Sequence, residues 1–155
     1  MIRGCFLCLL LTAALPASAL EIVRVFSGWR DASSFKRISE YFTGRENTGG
    51  QLVLRTHPEE RAGYYFLVRF AGATAGAEVQ VRLTVIRPTK PDGVVHTFQA
   101  RLAGESPVLN LGLTGSDWPD QEADAVAWKL DVLSADGAQV LATATSYLWD
   151  KPKEQ

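Results

Sequence analysis

The feature that most constrains the fold of this chain is the alternation of apolar and polar residues in the segment Glu78–Ile86, which is strict as far as Val85. Four aliphatic residues share one face of this segment: Val79, Val81, Leu83 and Val85. A two-residue period places successive side chains on opposite faces of an extended strand. The segment is therefore predicted to be a strand with one face in a core and the other in water.

The same alternation recurs along the chain between clusters of Gly, Pro and Asp. Further strands are predicted at Glu21–Phe26, Gln51–Thr56, Gly63–Phe70, Val94–Leu102, Val108–Leu113, Val126–Val132 and Val140–Trp149. Asp136-Gly137 is predicted to form a type I′ turn between the last two. Short strands with frequent turn signals predict a mainly β protein, an antiparallel β-sandwich of about seven to eight strands. Its architecture would be like that of immunoglobulin or fibronectin type III domains, which implies no function.

One segment departs from the two-residue period. Between Asp31 and Gly44, apolar residues recur at three- and four-residue steps: Phe35, Ile38, Tyr41 and Phe42. This spacing predicts one short N-terminal helix, which Gly44 can end in the left-handed conformation. Because so short a helix is marginal alone, we expect its apolar stripe to dock on the sandwich. The alternative is an irregular loop held by its aromatic residues.

The beginning of the chain is organised like a secretory signal peptide. Arg3 supplies a positive charge, an apolar run extends from Cys5 to Leu15, and Ala17-Ser18-Ala19 supplies a cleavage site. We expect residues 1–19 to be a cleavable signal peptide, residues 20–150 one β-sandwich domain and residues 151–155 a flexible tail. The protein is thus predicted to be periplasmic or secreted, with no transmembrane segment after cleavage.

Both cysteines, Cys5 and Cys8, lie within the predicted signal peptide. The mature chain would therefore contain no disulfide, no thiolate metal ligand and no cysteine nucleophile. It also lacks an N-x-Ser/Thr acceptor for glycosylation. These absences favour a bacterial source.

The sequence shows no arrangement typical of an active site. Neither Ser106 nor Ser116 lies in a G-x-S-x-G elbow, and His57 and His96 are interpreted as structural. We predict a non-enzymatic protein with no catalytic residue, metal site or cofactor. The acidic stretch from Asp117 to Asp124 leaves two lesser alternatives, a calcium site and a small hydrolase.

Two tryptophans in predicted loops provide the candidate ligand site, because exposed tryptophans stack on sugars or bind partner proteins. The candidate ligand-binding residues are Trp29, Arg30, Asp117, Trp118 and Asp120. The alternative is that each tryptophan folds back to close one end of the sandwich.

Arginines form a second cluster between Thr43 and Phe70: Arg45, Arg55, Arg61 and Arg69. An arginine cluster can bind a carboxylate or a phosphate. Interleaved glutamates, however, favour local ion pairs.

The leading functional hypothesis is an exported, non-catalytic domain that binds or scaffolds a protein or glycan at the cell envelope or outside the cell. A partner peptide could pair with an exposed edge strand. A carbohydrate-binding module that uses the loop tryptophans is the main alternative. No nucleic-acid partner is expected, because the net charge is only −1 and the basic residues are scattered.

Overall fold

A computed structural model of the protein describes residues 19–149 and contains two four-stranded sheets. The strands are β1 (Glu21–Arg30), β2 (Leu52–Arg55), β3 (Gly63–Ala71), β4 (Glu78–Arg87), β5 (Lys90–Arg101), β6 (Val108–Thr114), β7 (Ala127–Ser134) and β8 (Val140–Thr145). The predicted signal peptide, except its last residue, and the predicted tail lie outside the described residues.

The two sheets have the strand orders β1-β3-β6-β2 and β5-β4-β7-β8. The prediction of a mainly β, eight-stranded sandwich is confirmed. The expectation of antiparallel pairing is wrong at one edge, where β2 runs parallel to β6. Strand β3 is antiparallel to both β1 and β6, so β1, β6 and β2 all run in the same direction. Strands β1 and β2 lie at opposite edges of the first sheet. The chain between them must therefore cross the outer face of that sheet.

The core lies between the two sheets and follows the predicted alternation. The predicted inward residues of β4 are at most 2% exposed. Opposite them, β3 and β6 bury side chains from the first sheet: Tyr64, Phe66, Val68, Phe70, Leu109, Leu111 and Leu113. The core between the sheets is thus formed largely by strand residues of period two, and burial of apolar side chains is the main favourable contribution to folding.

Two local predictions need correction. Strand β1 continues to Arg30, since it pairs with β3 as far as Gly63, so Trp29 and Arg30 are strand residues rather than loop residues. In the last hairpin, only Gly137 has a positive φ, of 73°. A type I′ turn needs positive φ at both central residues, so Asp136-Gly137 does not form one.

The segment from residue 31 to residue 51, which we call the crossing segment, joins β1 to β2. It contains a 3-10 helix, Ala32–Phe35, and a six-residue helix α1, Ile38–Thr43, that ends at Gly44 with φ 66°. Lys36 and Arg37 are extended and separate the two helices. Because of this break, Phe35 does not share a helical face with the apolar residues of α1. The prediction that the whole apolar stripe docks is wrong.

Candidate functional site

The crossing segment is held against the first sheet by a buried ion pair. Arg55 of β2 donates two hydrogen bonds to the Glu46 carboxylate, at 2.9 and 2.6 Å, and its Nε donates to the Tyr65 hydroxyl at 2.7 Å. The Arg55 side chain is only 6% exposed. A bidentate arginine–carboxylate pair of this kind is strong and directional. The hydrogen bonds from Arg55 lower the pKa of the Glu46 carboxyl group. The arginine cluster of the sequence is thus used, at this position, for an internal ion pair.

A second ion pair holds α1. Arg61 Nη1 donates to Glu40 Oε2 at 2.7 Å, while Glu40 Oε1 accepts the backbone N–H groups of Arg37 and Asn47, both at 3.3 Å. The bond from Arg61 is the largest cause of the lowered Glu40 pKa. Glu40 therefore fixes the start of the helix and the loop that follows it, and the face of α1 that carries Glu40 is directed toward the sandwich.

Phe35 supplies the apolar contact beneath the crossing segment. Its ring lies 4.6 Å from that of Tyr65, and the guanidinium groups of Arg55 and Arg30 lie 5.0 and 5.7 Å from its centre. The Tyr65 ring in turn lies directly on Gly112, where an added Cβ would come within 2.5 Å of it. A glycine is required there because any side chain would displace the ring that receives Phe35.

The opposite face of α1 projects three large apolar side chains into water. Ile38, Tyr41 and Phe42 are 78%, 78% and 84% exposed. We call these three side chains the apolar platform. A hollow of about 240 Å³ lies beside it and is lined by Lys36, Glu40, Tyr41, Gly44 and Arg61. The sequence pattern located these apolar residues but did not show that Glu40, rather than the apolar stripe, would face the sandwich.

Exposed cations flank the platform. Lys36 and Arg45 are both exposed, and neither of them forms an ion pair within the described residues. The two glutamates nearby, Glu40 and Glu46, are already paired with Arg61 and Arg55. The surface around the platform is therefore positively charged.

Trp118, a predicted ligand-binding residue, is buried. Its side chain is 1% exposed, its ring stacks on Tyr64 with the ring centroids 4.2 Å apart, and the Arg87 guanidinium carbon lies 5.4 Å from the centroid of the Trp118 ring. Its indole N–H donates to the Ala123 carbonyl at 3.2 Å. In this position Trp118 closes one end of the sandwich and offers no free ring face to a sugar.

The other predicted residues do not form one groove with Trp118. Trp29 is half-buried, packs against the edge of the core and donates its indole N–H to Asp31 at 3.2 Å. Arg30 points toward the ring of Phe35 in the crossing segment. The exposed Asp120 accepts the backbone N–H of Glu122 at 3.0 Å, which is a local turn contact. Ligand binding by these residues remains a prediction.

Asp117 lies beside His57 and Ser116, a grouping that the sequence did not reveal. His57 Nδ1 is 3.5 Å from Asp117 Oδ2 and 2.8 Å from the Thr114 carbonyl, while Nε2 is 3.5 Å from Ser116 Oγ. Both 3.5 Å separations are at the limit for a hydrogen bond. The short contacts of His57 are instead to Thr114, whose hydroxyl bonds the backbone N–H and carbonyl of His57. These contacts join the loop after β2 to the end of β6.

Residues 19–149 contain neither a metal-binding cluster nor a membrane-spanning helix. In this part of the chain, no group of three or more His, Cys, Asp or Glu side chains is placed to hold a metal ion. No helix in the same range has the length and apolar character needed to cross a membrane.

Comparison with known proteins shows no family for this chain. No family model matches the chain, and no curated protein matches it significantly. Among solved structures, the chain is similar to an immunoglobulin-like protein from Pseudomonas aeruginosa, with 16% sequence identity and a TM-score of 0.35. The alignment covers 84% of this chain and 96% of that one.

Proposed function

We propose that this protein is an exported, non-catalytic β-sandwich that binds a component of the cell envelope through the apolar platform. The observation that carries this proposal is the exposure of three adjacent large side chains on a helix that ion pairs hold in place. Single exposed apolar residues are common, whereas a cluster of them usually marks an interaction site. The platform therefore supports a binding role.

The anchoring of α1 is what makes the platform suited to binding. Glu40 and Glu46 tie the crossing segment to Arg61 and Arg55, so the apolar side chains are presented in one orientation before any partner arrives. Less conformational entropy is lost on binding when the contact surface is already ordered. The buried Trp118 and the local contacts of Asp120 give no comparable support to a carbohydrate site.

The proposal is tested with the mature protein and an isolated cell-envelope fraction. The double variant Tyr41→Ser/Phe42→Ser is compared with Val140→Ser/Leu141→Ser, which removes two adjacent exposed apolar residues of β8. We expect wild type and the β8 variant to sediment with the envelope, and the platform variant to lose binding at least tenfold. Equal sedimentation of all three proteins, or of none, would contradict the proposal.

Export is tested separately by determining the N-terminus of the protein recovered from expressing bacteria. Cleavage after Ala19, which leaves Leu20 as the first residue in a periplasmic or medium fraction, is the expected result. An intact Met1 in the cytoplasmic fraction would remove the export part of the proposal and leave the platform part to its own test.

A further inference from the structure

We infer that the envelope component is an anionic phospholipid surface, into which Ile38, Tyr41 and Phe42 insert while Lys36 and Arg45 contact headgroup phosphates. This inference rests on the proposed function and names its partner.

The size of the platform fits a membrane better than a stable protein interface. A specific protein–protein interface usually buries about 800 Å² on each partner and involves about 20–30 residues of each. The platform consists of three side chains on a helix of six residues. Docking at a membrane interface requires only a few inserted apolar residues supported by electrostatic attraction.

The charge around the platform is complementary to an anionic surface. Lys36 and Arg45 are exposed beside it and have no ion-pair partner within residues 19–149. The carboxylates of Glu40 and Glu46 are engaged by Arg61 and Arg55. Asp31, the remaining acidic residue of the crossing segment, accepts the indole N–H of Trp29. Basic residues near a membrane surface are attracted to anionic lipids, and salt weakens this attraction.

The side-chain types also suit the boundary between headgroups and acyl chains. Tyr41 combines an apolar ring with a hydroxyl group, and aromatic rings of this kind are enriched at both membrane–water interfaces. Ile38 and Phe42 supply the fully apolar contacts. Ile38 lies three and four residues before the two aromatic residues, so all three share one face of α1.

The test uses sedimentation with protein-free vesicles, one set of phosphatidylcholine alone and one an equimolar mixture with phosphatidylglycerol. We expect wild type to bind the mixed vesicles, to bind phosphatidylcholine at least tenfold more weakly, and to be released by high salt. Tyr41→Ser/Phe42→Ser and Lys36→Gln/Arg45→Gln should each weaken binding to the mixed vesicles at least tenfold.

Two matched variants serve as controls. Val140→Ser/Leu141→Ser removes exposed apolar residues elsewhere, and Arg82→Gln/Arg101→Gln removes two exposed charges from the outer face of the second sheet. Both should bind mixed vesicles as wild type does, and circular dichroism should show that every variant is folded. Binding to mixed vesicles that neither Tyr41→Ser/Phe42→Ser nor Lys36→Gln/Arg45→Gln weakens would overturn the inference.

The outcomes also separate this inference from the proposed function. If wild type binds the native envelope through the platform but does not bind protein-free mixed vesicles, the lipid inference is wrong and a protein partner with an acidic surface is indicated. If wild type binds neither, both the inference and the proposed function are wrong.

Discussion

Residues of the same type take different roles in this protein according to their neighbours. Trp118 and Phe42 are both large aromatic residues outside the strands, yet the first is 1% and the second 84% exposed. Trp118 lies between Tyr64 and Arg87, where its ring completes the core. Phe42 lies on the outer face of a helix whose inner face carries Glu40. The stability of the fold should depend on the first and not on the second.

Replacement of Trp118 by alanine should therefore destabilise the fold strongly. Removal of a buried tryptophan loses its transfer free energy and leaves a cavity, which together cost about 3–5 kcal/mol of the free energy of unfolding. Phe42→Ala, the matched aromatic control, should change it by about 0.5 kcal/mol or less. Urea unfolding followed by circular dichroism measures both. A fully stable Trp118→Ala protein would show that Trp118 does not close the sandwich.

At the scale of elements, the crossing segment is the part whose structure depends most on polar contacts. Its helices are too short to be stable alone, and only Phe35 provides a large apolar contact with the sheet below. The ion pairs of Glu46 with Arg55 and of Glu40 with Arg61 supply the remaining attachment. The segment should therefore open more easily than the sandwich itself.

The substitution Glu46→Gln tests this attachment. It leaves the nearly buried Arg55 guanidinium without its carboxylate, which should reduce the free energy of unfolding by about 2 kcal/mol. Amide hydrogen exchange in the crossing segment should accelerate more than exchange in β3 and β4. Glu59→Gln, at an exposed position with no ion pair among the described residues, is the control. It should change neither the free energy of unfolding nor the rate of amide hydrogen exchange. Unchanged exchange in Glu46→Gln would contradict the role of this pair.

The period-two pattern predicted the strands well, whereas the three- and four-residue spacing failed to predict the structure of the crossing segment. Strand β4 is apolar on one face from Val79 to Val85, and these inward side chains are buried as the pattern predicts. The spacing of Phe35 and Ile38 would suit one continuous helix, whereas the extended Lys36 and Arg37 divide it into two. The hydrogen bonds of Glu40 to Arg61 and to the Asn47 backbone fix this alternative arrangement. Arg61 and Asn47 lie outside the segment from Asp31 to Gly44, whose spacing predicted the helix.

At the scale of the whole molecule, acid should destabilise the fold in two stages. Burial lowers the pKa of His96 below its usual value of 6.5. The negative charge of Asp117 raises this pKa, whereas the positive charges of Arg87 and Lys90 lower it further. The unfolded chain therefore binds a proton at His96 before the folded protein does. Glu40 and Glu46 have pKa values below the usual 4.5 because of their arginine partners, so the unfolded chain also protonates them first.

These shifts predict the direction of the pH dependence. The free energy of unfolding should be highest near neutral pH, should fall as the pH drops through about 6.5, and should fall again below about 4.5. Urea unfolding at a series of pH values measures the profile. His96→Gln should remove the first decline and keep the second. A wild-type protein equally stable at pH 7.5 and pH 5.5 would contradict the assignment to His96.

The sequence by itself determined the β-sandwich class and the inward face of β4, whose four apolar residues lie in the core. These properties follow from period two, which each strand carries locally. Only the tertiary structure decided the parallel pairing of β2 with β6, the burial of Trp118 and the bonds of His57 to Thr114, residues 57 positions apart. It also decided that Glu40 would face Arg61, 21 positions away, so that the apolar side of α1 is left in water. Such contacts join distant segments, and no local pattern encodes which side chain finds which partner.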